Sequence, residues 1–289
     1  MHNAVPERNI KLFADDANIF IHSKTIQTTV DLTKRCITNI HSWCTANKLS
    51  INFNKTNFSV FSRTAISNYA EITIGRHTIK RTTSSKYLGV IIDEKLNWSE
   101  HIEYIYNKLV RFTGIAYRLR SKIPVSFLRN IYYGLIHPNI LYGLEIYGNT
   151  TISHLDKLIK LNNKLLRILQ FKTIETSNAI LYRNYNSLPI PSLFKYKILT
   201  LVHNFKHHKD KLPVLFKHYF TENSTVHSYK TRNNANLHLY SVNTSYGART
   251  IAHMGSIFWN EIPMCHKLAV STKEFQRLLK LYLQYQPLK

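Results

Sequence analysis

Acidic residues are scarce in this chain: 16 Asp and Glu stand against 39 Lys and Arg, a formal net charge of +23 at pH 7. A surface so one-sided repels itself unless a polyanion supplies countercharge, which leaves nucleic acid and anionic membrane as partner classes. Long apolar runs are missing too. The richest stretch, Ile131 to Tyr147, is interrupted by Gly, His, Pro, Asn and Glu and falls short of a bilayer span. Residues Met1 to Arg8 lack the apolar core of a signal peptide. Membrane is therefore set aside and nucleic acid retained. Cysteine is rare as well. Cys36, Cys44 and Cys265 are too few and scattered for a disulfide framework, and no Cys-x-x-Cys spacing offers a zinc site. Cys36 and Cys44 lie two helical turns apart in an apolar stripe, as small core residues do, and a reducing intracellular setting fits.

What is present begins with Lys11-Leu12-Phe13-Ala14-Asp15-Asp16-Ala17-Asn18-Ile19-Phe20-Ile21, two apolar runs meeting at adjacent carboxylates. Alternation along a strand sends neighbouring side chains to opposite faces, so Asp15 and Asp16 share a target only if the turn re-aims them. Taken alone, Asp-Asp between apolar runs is a polar turn. From Thr25 to Asn47, Ile26, Val30, Ile37, Ile40 and Cys44 form one stripe of a long helix, with Ser23 or Thr25 as cap. Leu49 to Ser62 alternates as a strand. Ile72–Ile74 and His77–Ile79 read as a hairpin turning at Gly75-Arg76, and Tyr87 to Asp93 as a further strand in which Gly89 permits close approach. Residues 10–93 thus form an α+β unit.

After Trp98 the period becomes helical. Ser99 is placed to cap a helix in which Ile102, Ile105, Leu109, Phe112, Ala116 and Leu119 face inward, and which Pro124 ends. Lys108, Arg111, Arg118 and Lys122 share an adjacent face. Ser153 to Gln170 repeats the arrangement, with Leu155, Leu158, Asn162, Leu165 and Leu169 inside and Lys157, Lys160, Lys164 and Arg167 as a basic stripe. Solvated faces usually mix signs, so two purely basic stripes point to phosphate contact. Val125 to Gly148 reads as a buried helix kinked or broken at Pro138. His203, His207 and His208 have helical spacing, but without a carboxylate or cysteine nearby they read as a solvated or nucleic-acid-facing cluster. Residues 221–245, rich in Asn, Ser and Thr and including Tyr229, Arg232 and Tyr240, read as an extended linker before a closing helix from Thr272 to Gln284.

The series Phe13-Ala14-Asp15-Asp16, a long helix, Asn52-Phe53-Asn54-Lys55-Thr56, and Tyr87-Leu88-Gly89 with Trp98 and His101 resembles the second half of a non-LTR (LINE-like) retrotransposon reverse transcriptase. A looser match continues through Leu128, Tyr132, Leu135, Ile136, Pro138, Leu141, Tyr142 and Gly143 to Gly255, Trp259, Asn260 and Pro263. The resemblance implies a truncated polymerase palm with its primer grip over 1–93, a helical thumb over 94–186 and a mostly helical C-terminal region over 187–289. It implies RNA-directed DNA synthesis by two-metal chemistry, with RNA template, DNA primer and deoxynucleoside triphosphates as partners and a nuclear place of action. Asp15 and Asp16 become Mg²⁺ ligands, Lys55 a cation near the triphosphate, and Tyr87, Leu88 and Gly89 the grip on the primer end.

One departure from that pattern matters. The family's other essential aspartate lies on a strand well before the Asp-Asp hairpin, whereas here only fourteen residues precede Asp15 and Glu7 is their sole acid. Asp31 sits in a helix and Asp93 on the grip strand. No endonuclease, RNase H or zinc-knuckle section is expected either. The expectation is a chain that does not polymerise by itself, the alternative being a non-catalytic basic module that binds nucleic acid.

Overall fold

The computed structural model describes residues 10–62, 71–226 and 236–286. Glu7, Tyr229 and Arg232, singled out above, lie outside them. Mixed helices and small two-stranded sheets make an α+β chain, which divides between Leu96 and Asn97 into two compact units.

In the first unit β1 (Ile10–Phe13) and β2 (Asp16–Ile19) form an antiparallel hairpin, with Phe13 opposite Asp16. Helix α1 (Ile26–Ala46) follows, capped by Thr25, whose side chain accepts from the Thr28 N–H. Its C-terminal half buries Ile40 and Cys44 against Ile10, with Ile19, Trp43 and Ile51 around them. Its N-terminal half packs Val30 on Ile72, Ile74 and Ile79. The stripe read from the sequence thus serves two hairpins at once. The strand expected over Leu49 to Ser62 shrinks to β3 (Asn57–Phe58), because Asn52 draws the preceding residues into a turn. Strands β4 (Thr73–Ile74) and β5 (His77–Thr78) make the hairpin placed at Gly75, and β6 (Lys80–Arg81) pairs in parallel with β3.

The strand predicted over Tyr87 to Asp93 is instead part of a third antiparallel hairpin. Its arms are β7 (Ser84–Tyr87) and β8 (Val90–Asp93), with Leu88 and Gly89 at the tip. Both tip residues have positive φ, 45° and 82°, as a two-residue turn matched to strand twist requires. At φ 82° Gly89 supplies the backbone freedom that the turn needs.

The second unit is helical. Helix α2 (Ser99–Arg120) starts from Trp98 in the left-handed region, and Ser99 is its first residue instead of its cap. It ends before Lys122, so that side chain lies in the turn leading to Pro124 and α3 (Val125–Ile131). The chain then widens into a π-helical turn, Tyr132–Ile136, before α4 (His137–Leu141). Pro138 lacks an N–H, and the register shift lets the His137 N–H reach back to the Tyr132 carbonyl, so a wider turn stands where a kink or break at Pro138 was expected. Helix α5 (Leu144–Tyr147) precedes α6 (Ile152–Leu169), the centre of the unit. Besides the five predicted residues, α6 buries Leu161, Asn163, Leu166 and Ile168, because it is covered by α2 on one side and by α7 (Asn178–Asn184) on another.

Helix α8 (Ile190–His207) packs on α5 and on two later helices. After α9 (Asn223–Val226) and α10 (Ser245–Ala248) come α11 (Ile251–Glu261), α12 (Met264–Lys267) and α13 (Thr272–Tyr285). The ends of the supposed linker are pinned: Glu222 bridges antiparallel to Leu237, which is buried, and Asn260 clasps both backbone groups of Leu237 at 2.9 Å.

Candidate catalytic and nucleic-acid site

The Asp-Asp hairpin turns at Ala14 and Asp15, with Ala14 at φ 51°. Asp15 stands at the tip and Asp16 opens β2, both exposed. Leu12, Phe13 and Phe20, which flank them, are also at least half exposed. Phe20 leaves the hairpin and meets Tyr87 edge-on, ring centroids 6.0 Å apart. Two of the motifs noted in the sequence are therefore neighbours: the exit from the carboxylate hairpin touches the hairpin whose tip is Leu88-Gly89. Leu88 is exposed there and Val90 buried beneath it.

The Asn52-x-x-Lys55-Thr56 motif is a compact turn wound around Asn52. The Asn52 side-chain oxygen accepts from the Lys55 N–H at 3.2 Å, and its carbonyl accepts from the Lys55 and Thr56 N–H groups and the Thr56 hydroxyl. Asn is suited to this because its short amide caps its own turn. The geometry presents the Lys55 side chain outward.

The acids among the described residues do not assemble a two-metal site. Among the described residues no group of three or more His, Cys, Asp or Glu could hold a metal ion. Asp93 is buried at the end of β8 and accepts from the Lys95 N–H at 3.1 Å, closing the turn into Leu96. Asp31 accepts from Gln27 on α1. Two adjacent carboxylates, one on a turn and one on a strand, fall short of the bridging pair from separate strands that two cations need.

The basic stripes fare differently from one another. On α2, Lys108, Arg111 and Arg118 are exposed, in line with exposed Tyr104 and Ile115 at three- and four-residue steps. Arg120, absent from the predicted set, lies 4.8 Å from the ring centre of Tyr117 and 5.5 Å from that of Phe171. Its signal in the sequence was the aromatic three residues earlier. On α6 the stripe is not purely basic. Lys157 pairs with Glu103 of α2, and Lys160 with Asp156 at 2.6 Å. Arg167 turns inward to Asn178 at 2.7 Å and the Thr176 carbonyl. Lys164 alone of these four stays exposed with no bonded partner. The helices interlock here, so one acid from α2, Glu103, reaches a face that α6 itself opposes only with Asp156.

Nor are the histidines a solvated cluster. His203 is fully buried, stacks on Phe275 and has Nε2 2.7 Å from the Ala269 carbonyl; His208 Nε2 lies 3.1 Å from the Val270 carbonyl. Burial holds His203 and His207 below the ordinary histidine range. They tie α8 to the segment entering α13. The Gly255…Pro263 pattern is structural as well. Gly255 lies against Phe220 and Val202, Trp259 is buried, Asn260 holds Leu237, and Pro263 precedes α12.

Comparison with known proteins returns a consistent set of relatives. The chain is 29% identical over 161 residues to the RNA-directed DNA polymerase from mobile element jockey of Drosophila funebris, covering 55% of this chain and 18% of that one. It is 29% identical over 170 residues to the corresponding Drosophila melanogaster protein, covering 57% and 17%. Against the probable RNA-directed DNA polymerase from transposon X-element of Drosophila melanogaster it is 28% identical over 178 residues, covering 60% and 19%. The chain thus spans less than a fifth of the length of these relatives. No family model and no solved structure matches. The ordered motifs and these similarities agree, and the chain is related to the reverse transcriptases of non-LTR retrotransposons.

Proposed function

We propose that this chain is the primer-positioning and duplex-holding part of an RNA-directed DNA polymerase. The first unit corresponds to palm with primer grip, and the second to thumb and C-terminal region. The single observation that carries the reading is the Phe20–Tyr87 contact, which joins the Asp15–Asp16 hairpin to the Leu88-Gly89 hairpin in the motif order of a polymerase. Asp15 and Asp16 are the carboxylates this chain contributes to divalent-metal binding in the complete enzyme, and Lys55 the cation it offers to the triphosphate. Lys108, Arg111 and Arg118, with Lys122 beyond the helix end and Lys164 on α6, contact phosphates of an RNA–DNA duplex. Such partners place its action in the nucleus.

The test is primer extension on an RNA template by the full-length element protein. Asp15→Asn should remove synthesis while leaving primer–template binding intact; retained synthesis would overturn the catalytic assignment. The 289-residue chain alone should bind primer–template without extending it. A non-catalytic binding module is the second reading, favoured by the absence of a third acid beside Asp15 and Asp16 among the described residues. Under it, Asp15→Asn with Asp16→Asn changes no activity and, by removing negative charge, tightens binding.

A further inference from the structure

Two side chains from different helices converge on one loop, and each carries a cation behind it. Tyr133 Oη donates to the carbonyls of Tyr185 and Asn186 at 2.8 and 2.9 Å. Gln284 Nε2 donates to Asn186 Oδ1 at 3.2 Å and to the Ser187 carbonyl at 3.3 Å. Asn186 is held at φ 51°, in the left-handed region. Arg129 lies four residues before Tyr133, and Lys280 four before Gln284, so each base sits one helical turn back on the same face as its anchor.

The loop thereby fixes two like charges near each other. The Arg129 guanidinium lies 5.7 Å from the Tyr133 ring centre. Burial first, and then the Arg129 charge, hold the Lys280 amine below its usual range. Along α13, Lys273, Arg277, Lys280 and Gln284 follow at steps of four, three and four, on the side away from buried Phe275, Leu279 and Leu283. Among the described residues none of Arg129, Lys273, Arg277 and Lys280 pairs with a carboxylate, whereas Lys195, Lys197 and Lys206 of the neighbouring α8 all do. Holding uncompensated cations together costs stability, and an anion would recover it. At the end of the strip Tyr285 is 70% exposed, with the Arg183 guanidinium 4.7 Å from its ring centre.

We propose that Arg129, Lys273, Arg277 and Lys280 form a track for the backbone of single-stranded nucleic acid, with Tyr285 as a platform for one unpaired base. The proposal rests on the nucleic-acid reading above and adds a second site to it. An exposed ring beside a cationic strip suits a single strand, because a duplex has no base face to offer. Three of the four cations lie on α13, which packs on α7, α8 and α12, and Arg129 lies on α3, whereas the duplex contacts proposed above lie on α2, just beyond its end and on α6.

The experiment is equilibrium binding of the 289-residue chain to a single-stranded RNA oligonucleotide and to an RNA–DNA duplex, each over a salt series. Arg129→Gln with Lys280→Gln should lower the salt slope for the single strand by about 1.4, at roughly 0.7 per cation lost, and leave duplex binding unchanged. Tyr285→Ala should weaken single-strand binding about tenfold, within the range found for base stacking on an aromatic. Lys280→Met, which keeps the apolar stem, guards against loss of fold and should weaken the single strand in the same direction. An unchanged slope and affinity in these variants would overturn the proposal. So would a polyglutamate peptide competing as well as RNA at equal charge, since the strip would then serve an acidic protein. If Lys108→Gln with Arg111→Gln weakens the duplex while the α13 variants do nothing, only this inference falls. If the chain binds neither nucleic acid, the proposed function falls with it.

Discussion

Single residues here carry roles that their chemistry makes testable. In Gly255 a methyl group would stand 2.7 Å from Phe220 Cε1, so the ring must move. Gly114, on the exposed side of α2, has nothing within 4 Å of that position. Gly255→Ala should therefore cost about 1–2 kcal/mol, overpacking outweighing the gain in helix propensity. Gly114→Ala should instead stabilise by up to about 1 kcal/mol. Denaturant midpoints of the two variants check both signs. His101 and His137 are buried and pushed down to about 4, in each case by burial first and for His137 also by Lys280 and Lys197. Their folded values lie below the unfolded one, so the unfolded chain binds more protons between pH 6.5 and 4. Stability should fall as pH drops through that window and hold above it. Melting temperatures at pH 7 and pH 5 should differ for this reason, and His101→Gln with His137→Gln should flatten the difference. An undiminished pH slope in that variant would refute the assignment.

At the scale of elements, the Leu88-Gly89 hairpin depends on its tip. With Gly89 at φ 82°, Gly89→Ala should cost about 1 kcal/mol. Hydrogen exchange should quicken in Ser84–Asp93 while the helical unit stays protected. A uniform effect over both units would contradict this. Helices were legible in the sequence wherever one face is buried: α1 and α2 appear with the expected inner residues, because a three-four period survives when the neighbours of a helix all cover the same face. Helix α6 buries far more than its stripe because it has several neighbours, and periodicity cannot count those. Short strands were read poorly. Leu49 to Ser62 alternates in hydrophobicity, yet Asn52 bends the backbone back on itself, and a local hydrogen bond overrides a pattern of side chains. Tyr87-Leu88-Gly89-Val90 looked continuous because its turn residues include a leucine, which seldom adopts positive φ. Of the candidate site, the hairpin carrying Asp15 and Asp16 was plain from order and spacing. That Lys157, Lys160 and Arg167 are engaged by Glu103, Asp156 and Asn178 was not, since two of those partners come from other helices.

For the whole molecule, the charge imbalance is sharpened by packing. In the helical unit Glu103, Glu145, Asp156, Glu222 and Glu261 are all bound to lysines, so few acids remain to offset the other bases. Binding to RNA–DNA duplex should therefore weaken steeply with salt, by about tenfold or more between 50 and 200 mM, with little sequence preference. Affinity that does not change with salt would exclude the phosphate-contact reading.

The clasp of Asn260 on Leu237 has a different kind of consequence. The Asn223 N–H bonds the Asn236 carbonyl at 3.0 Å, and the His238 N–H bonds that of Thr221 at 2.8 Å, so the chain leaves and returns through one closed gate. Whatever length of peptide lies beyond the gate, the helices on this side are held the same way. Doubling that length should cost only about 0.6 kcal/mol of closure entropy. A fluorescent reporter spliced in between Val226 and Asn236 should leave the melting of the helical unit nearly unchanged, which makes this the place to label the protein while watching it hold nucleic acid.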